Sequence, residues 1–109
     1  MRKKGDRVGA ICGNNEGVIE FFGYGTYEGN EIPPKGIKFF GVDLYEAEHR
    51  NPKIVLDDGS VVWGCECWFG DETRVKKVLE GKVVKIVKIE DYRKECEIER
   101  KVENGQAGK

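Results

Sequence analysis

The sequence predicts a single mainly β domain: a small barrel with one short helix and a C-terminal β-hairpin extension. Three observations point there. Apolar and polar residues alternate with period two in several short runs. Clusters of glycine, asparagine and proline punctuate those runs at short intervals. At 109 residues the chain has room for one core and no second. The domain is expected to span residues 1–103, with 104–109 a flexible tail that has nothing to bury.

The first hairpin comes from Arg7–Cys12 and Val18–Phe22, separated by Gly13-Asn14-Asn15-Glu16. Val8, Ala10 and Cys12 share one face by alternation. Gly23 and Gly25 around Tyr24 predict a bend or bulge where the second strand ends. From Thr26 to Asn51 the pattern is irregular. Pro33-Pro34 excludes a helix across it, and a short strand is expected near Ile37–Leu44. Long connections of this kind are often functional, so the segment is the first candidate site.

Lys53–Cys67 carries the clearest strand signal. Asp58-Gly59 reads as the two-residue loop of a type I′ turn. That register sets Asp57 opposite Ser60, Leu56 opposite Val61, Val55 opposite Val62 and Ile54 opposite Trp63. Ile54, Leu56, Val61, Trp63, Cys65 and Cys67 then share the core face. Asp71–Glu80 reads as the helix, acidic at its start, basic toward its end and closed by Gly81. Val83–Ile89 reads as a strand, and Tyr92–Val102 as its hairpin partner through Glu90-Asp91. A charged helix is the rival reading there, because Tyr92 and Cys96 are also four residues apart.

Gly5-Asp6-Arg7-Val8 followed by Gly17-Val18-Ile19 resembles the strand–turn–strand opening of KOW-type segments. Ile54 to Gly59 resembles the later hairpin that closes many SH3-like small barrels, including Tudor modules. The resemblance covers about residues 5–70 and implies an SH3-like barrel. The chain lacks the basic surface of KOW ribosomal segments. The stretch from Asn51 to Trp68 also looks like parts of small prokaryotic or phage-encoded proteins, a likeness that implies no activity.

The net charge of −1 argues against a domain that grips nucleic acid through its phosphates. No secretory signal or membrane-length apolar run is present, so a cytoplasmic location without membrane contact is expected, with reduced cysteines. The only histidine, His49, lies in Glu46-Ala47-Glu48-His49-Arg50, a solvated composition with no nucleophile beside it. The turn accounts for Asp57-Asp58, and the glycines form no phosphate-binding motif. No enzyme and no cofactor are expected.

Cys12, Cys65, Cys67 and Cys96 read as ordinary core thiols. Their alternative is a four-thiolate zinc site stabilising a structural protein, although their spacing lacks the usual tight pairs. The aromatic residues are more suggestive, because a core of this size cannot enclose them all. Tyr24, Tyr27, Trp68 and Phe69, with Glu28 and Glu31 as an acidic rim, form the candidate binding set for a protein or peptide partner. Phe39 and Phe40 lie in the irregular middle, which either presents aromatics to solvent or folds over the barrel mouth as a plug. The alternative function is a nucleic-acid-binding barrel using Lys76, Lys77, Lys82, Lys85 and Lys88.

Overall fold

Strand β1 (Arg7–Asn15) and β2 (Val18–Glu31) form the first hairpin of a computed structural model that describes residues 2–96. Asn15 pairs with Val18 across Glu16-Gly17, whose φ values of 53° and 84° define a tight I′-type turn. β2 does not end at the glycines. It bends at Gly23, where φ is 138° and Phe22 falls out of the β1 register, and then continues as the ladder partner of β5. Adjacent Phe21 and Phe22 point to opposite faces of the strand and so enter two different cores.

Two short strands, β3 (Lys38–Phe39) and β4 (Val42–Asp43), form a separate miniature hairpin. β5 (Asn51–Leu56) and β6 (Val61–Trp63) follow, then a 3₁₀ turn (Gly64–Glu66), β7 (Trp68–Asp71), α1 (Glu72–Leu79) and β8 (Val83–Ile86). A second helix, α2, covers residues 89–96. The main sheet runs β6-β5-β2-β1-β7, all antiparallel, with β8 added to β2 in parallel. The architecture is mainly β, as the alternation predicts.

Val8, Ala10, Phe22, Ile54, Leu56, Val62 and Ile89 form the main core, so β1, β2, β5, β6 and α2 all face one centre. Ile11, Ile19, Phe21 and Val75 form a second core, with α1 laid on the other side of the sheet. Gly9 is what lets α1 approach. A Cβ there would sit 2.7 Å from Val75 Cγ1. Arg7 ties these parts together, forking onto Asp57 at 2.7 Å and reaching Glu72 at 2.9 Å. The Arg7 guanidinium holds the Asp57 carboxyl below the usual aspartate range.

The structure corrects three further expectations. The Asp58-Gly59 turn is not a two-residue loop. Ile54 pairs with Val62 and Lys53 with Trp63, and Leu56 N–H donates to Ser60 at 2.8 Å across a three-residue loop. Only Gly59 takes positive φ, at 91°. Asp58 prefers to bind Ser60 through its carboxylate, which stabilises the longer turn. The shift of one residue puts Val62, not Val61 and Trp63, on the face of Ile54 and Leu56. Trp63 is nonetheless buried, in a third cluster with Ile37 and Leu44.

The strand also stops at Trp63, short of Cys67. Pro52 cannot donate to a ladder, Gly64 stands against its ring, and Asn51 Oδ1 captures the Cys65 N–H at 2.8 Å. The resulting turn sends Cys65 to the third cluster and Cys67 to the main core, so the two do not share a face. Finally, the expected C-terminal hairpin is replaced over residues 92–96 by α2. Ile89 and Tyr92 pack into the main core, with Tyr92 edge-on to Phe22 at 5.5 Å. Arg93, on the same helix, forks onto Glu66. Helical spacing satisfies all three contacts at once. Residues 97–102 of that expected strand and the expected tail 104–109 lie outside the described residues.

Candidate functional site

The six residues of the sequence-derived binding set are divided between different surroundings. Tyr27 and Phe69 stack at 6.3 Å on the rim of the main core, and the Tyr27 hydroxyl donates to Asn30 at 2.8 Å. The Arg2 guanidinium lies 4.8 Å from the Phe69 ring centre. Tyr24 packs against the second core, edge-on to Phe21 at 4.9 Å, under the Lys76 ammonium. Glu28 is half-buried, and Glu31 is exposed beside Lys53 at 3.4 Å. Trp68 is 48% exposed. Three of the four aromatics are thus largely engaged in packing.

The solvent-facing aromatics lie in the irregular middle instead. Phe40 is 91% exposed, and Phe39, Val42, Tyr45 and Ile32 are each exposed nearby in sequence. Phe39 pairs with Val42 across Phe40-Gly41, a second tight turn with φ values of 51° and 79°. A bulky residue in the left-handed region costs about 1–2 kcal/mol. Surrounding structure must therefore hold Phe40 in place.

That support is visible below the tip. Ile37 and Leu44 flank the hairpin and are buried on Trp63, and Leu44 N–H donates to Ile37 at 3.0 Å. The Asp43 carboxylate accepts from the backbone N–H groups of Gly36, Tyr45 and Glu46 at 3.0–3.2 Å. Those bonds, that from Gly36 foremost, hold its carboxyl below the ordinary aspartate range. The base of the segment is a plug and its tip is displayed. Phe39 and Phe40 pack edge-on at 4.4 Å, making one apolar knob. The signal available in the sequence was Phe-Gly between β-formers with a capping Asp43 following.

Beside the hairpin base lies a cavity of about 350 Å³ lined by Pro34, Ile37, Val61, Trp63, Ile89 and Arg93, among others. Its α2 wall is pinned by Arg93, whose Nε and an Nη donate to the Glu66 carboxylate at 2.8 Å while the fork also reaches the Val61 carbonyl at 3.0 Å. Glu66 in turn accepts the Trp63 N–H at 3.0 Å. These bonds tie α2, β6 and the 3₁₀ turn together.

His49 is exposed. The four cysteines are free thiols. Among the described residues no group of three or more His, Cys, Asp and Glu side chains is placed to hold a metal ion. Burial pushes the Cys12 thiol up to about 11 and the Cys67 thiol up to about 12. Both thiols stay protonated at neutral pH, so they are poor nucleophiles. Iodoacetamide at pH 8 should label Cys67 at least ten times more slowly in the native than in the unfolded protein. Equal rates would contradict the packing. Because these thiol values rise on folding, the associated stability is complete below about pH 9 and is lost as the pH climbs toward 12.

No helix among the described residues is long and apolar enough to cross a membrane. Comparison with known protein families, with curated proteins and with solved structures found no match.

Proposed function

We propose that the protein is a non-catalytic binding module, and that the β3–β4 hairpin, with Phe40 at its apex, is its recognition element for a protein partner. The observation that carries this reading is an almost fully exposed Phe in a left-handed turn, on a base buried against Trp63. Strain kept at an exposed apolar tip does nothing for folding. A rigid aromatic knob that loses little entropy on docking is the usual form of a binding hot spot. The partner surface is a concave apolar pocket that admits Phe40 and Phe39. We further infer a strongly bent, SH3-like small barrel and a cytoplasmic setting. Supporting the barrel is the main core, to which β1, β2, β5 and β6 all contribute.

The test uses a photoreactive phenylalanine derivative at position 39, in host cells. It should crosslink one dominant protein. The same probe at Glu16, exposed in the other tight turn, should not. Phe40→Asn should abolish that crosslink while leaving stability unchanged or raising it by up to about 1 kcal/mol, since asparagine tolerates the left-handed region. Equal capture from both positions, or capture indifferent to Phe40→Asn, would remove the hairpin from consideration.

A further inference from the structure

Strand β8 is the only parallel strand among the described residues, and it has a single neighbour, β2. Parallel strands are normally covered on both faces. Here Val83 is 65%, Val84 36% and Ile86 61% exposed. Val18 to Phe21 of β2 pair with Val83 to Ile86, and the Val87 N–H donates to the Phe21 carbonyl at 2.9 Å. By the two-residue period, the N–H and C=O groups of Val84 and Ile86 point away from β2, along an edge that no described strand occupies. Their side chains lie on the face of Ile19 and Phe21, beyond the cover of the short α1. Val83 and Lys85 lie on the other face.

The charges around this edge discriminate among occupants. Lys82, Lys85 and Lys88 are all exposed along β8 and its flanks. Lys88 reaches Asp58 at 3.5 Å, whereas Lys82 and Lys85 have no ion-pair partner among the described residues. Lysine on an edge repels a second copy of the same edge, because antiparallel self-pairing would bring like charges together. It attracts an acidic strand.

We propose that the open edge of β8 receives an extended acidic peptide segment of a partner protein, with aliphatic residues alternating with Glu or Asp, added as the next strand of the sheet. Its backbone bonds to Val84 and Ile86. Its aliphatic side chains extend the Ile19–Phe21 face beside Val84 and Ile86, and its carboxylates, on the opposite face, meet Lys85. This surface is separate from the Phe40 hairpin and does not depend on it.

The probe is a fluorescent hexapeptide alternating glutamate with valine, and its control carries lysine for glutamate. The glutamate peptide should bind the full-length protein, and the lysine peptide at least about tenfold more weakly. Hydrogen exchange at the Val84 and Ile86 amides should slow on binding. Lys85→Glu, a surface change, should weaken binding about tenfold or more. Ile86→Pro removes an outward N–H without touching the β2 ladder, and should abolish binding with β2–β8 protection intact. Binding without new protection at those two amides overturns the proposal. So does equal affinity for both peptides, or self-association of the peptide-free protein that protects the same amides. Binding of single-stranded RNA that is lost in Lys85→Glu but kept in Ile86→Pro would assign the edge to nucleic acid instead, and also overturns it.

Discussion

Gly25→Ala should destabilise the protein by about 3 kcal/mol or more, enough to unfold much of a small domain at moderate temperature. Gly25 is buried where β2 crosses from β1 to β5, pairing with Val8 on one side and Leu56 on the other. A Cβ there would run into the Val55 carbonyl oxygen and stand 2.7 Å from Leu56 Cα. Both obstacles are backbone, so no rotamer change relieves them. Either β5 moves or the β2–β5 ladder opens. Gly13→Ala is the matched control, since its Cβ would meet open space and its φ is ordinary. It should change stability by no more than about 0.5 kcal/mol. Urea unfolding of both variants checks the pair, and similar midpoints would show that the close approach is not real.

Trp63→Ala should cost about 3–5 kcal/mol, and its effect should reach beyond stability. Trp63 is 4% exposed and is the floor on which Ile37 and Leu44 rest. Without it the hairpin base has no packing to oppose the strain at Phe40. Limited proteolysis should then cut between residues 35 and 48 under conditions that leave the β1–β2 hairpin intact. Crosslinking from position 39 should fall with it. Trp63→Phe, which keeps an aromatic floor, should restore much of both. A Trp63→Ala protein that loses stability but keeps a protease-resistant hairpin would show that the tip is held by its own hydrogen bonds at Asp43.

Local chemistry explains what was legible beforehand. The β1–β2 hairpin, α1 and the β5–β6 strand pair are set by neighbouring residues: alternation, a glycine at a turn, charges suited to a helix end. Near Ile37–Leu44 the same signals gave one short strand where the structure has a two-stranded hairpin. The same level of information did not resolve the Asp58-Gly59 loop. Asp-Gly fits a two-residue or a three-residue turn, and only the Asp58–Ser60 hydrogen bonds select the longer. Nor did it resolve residues 92–96, where the four-residue spacing of Tyr92 and Cys96 and the parity of a strand coexist.

By itself the amino-acid order determined that this is a mainly β chain with alternating two-faced strands, a short helix within residues 71–80 and an aromatic surplus that the interior cannot hold. That its apolar residues divide into three clusters, not the one core expected, was settled by the fold. Which aromatics would be left outside was decided in three dimensions. Tyr27 found Phe69, Tyr24 found Phe21, and Phe39 and Phe40 found only each other. The conversion of residues 92–96 to helix was likewise a matter of distant partners, Phe22 and Glu66. The physical reason is common to both. Period and turn chemistry act over a few residues, whereas burial is a competition among all side chains for one small volume.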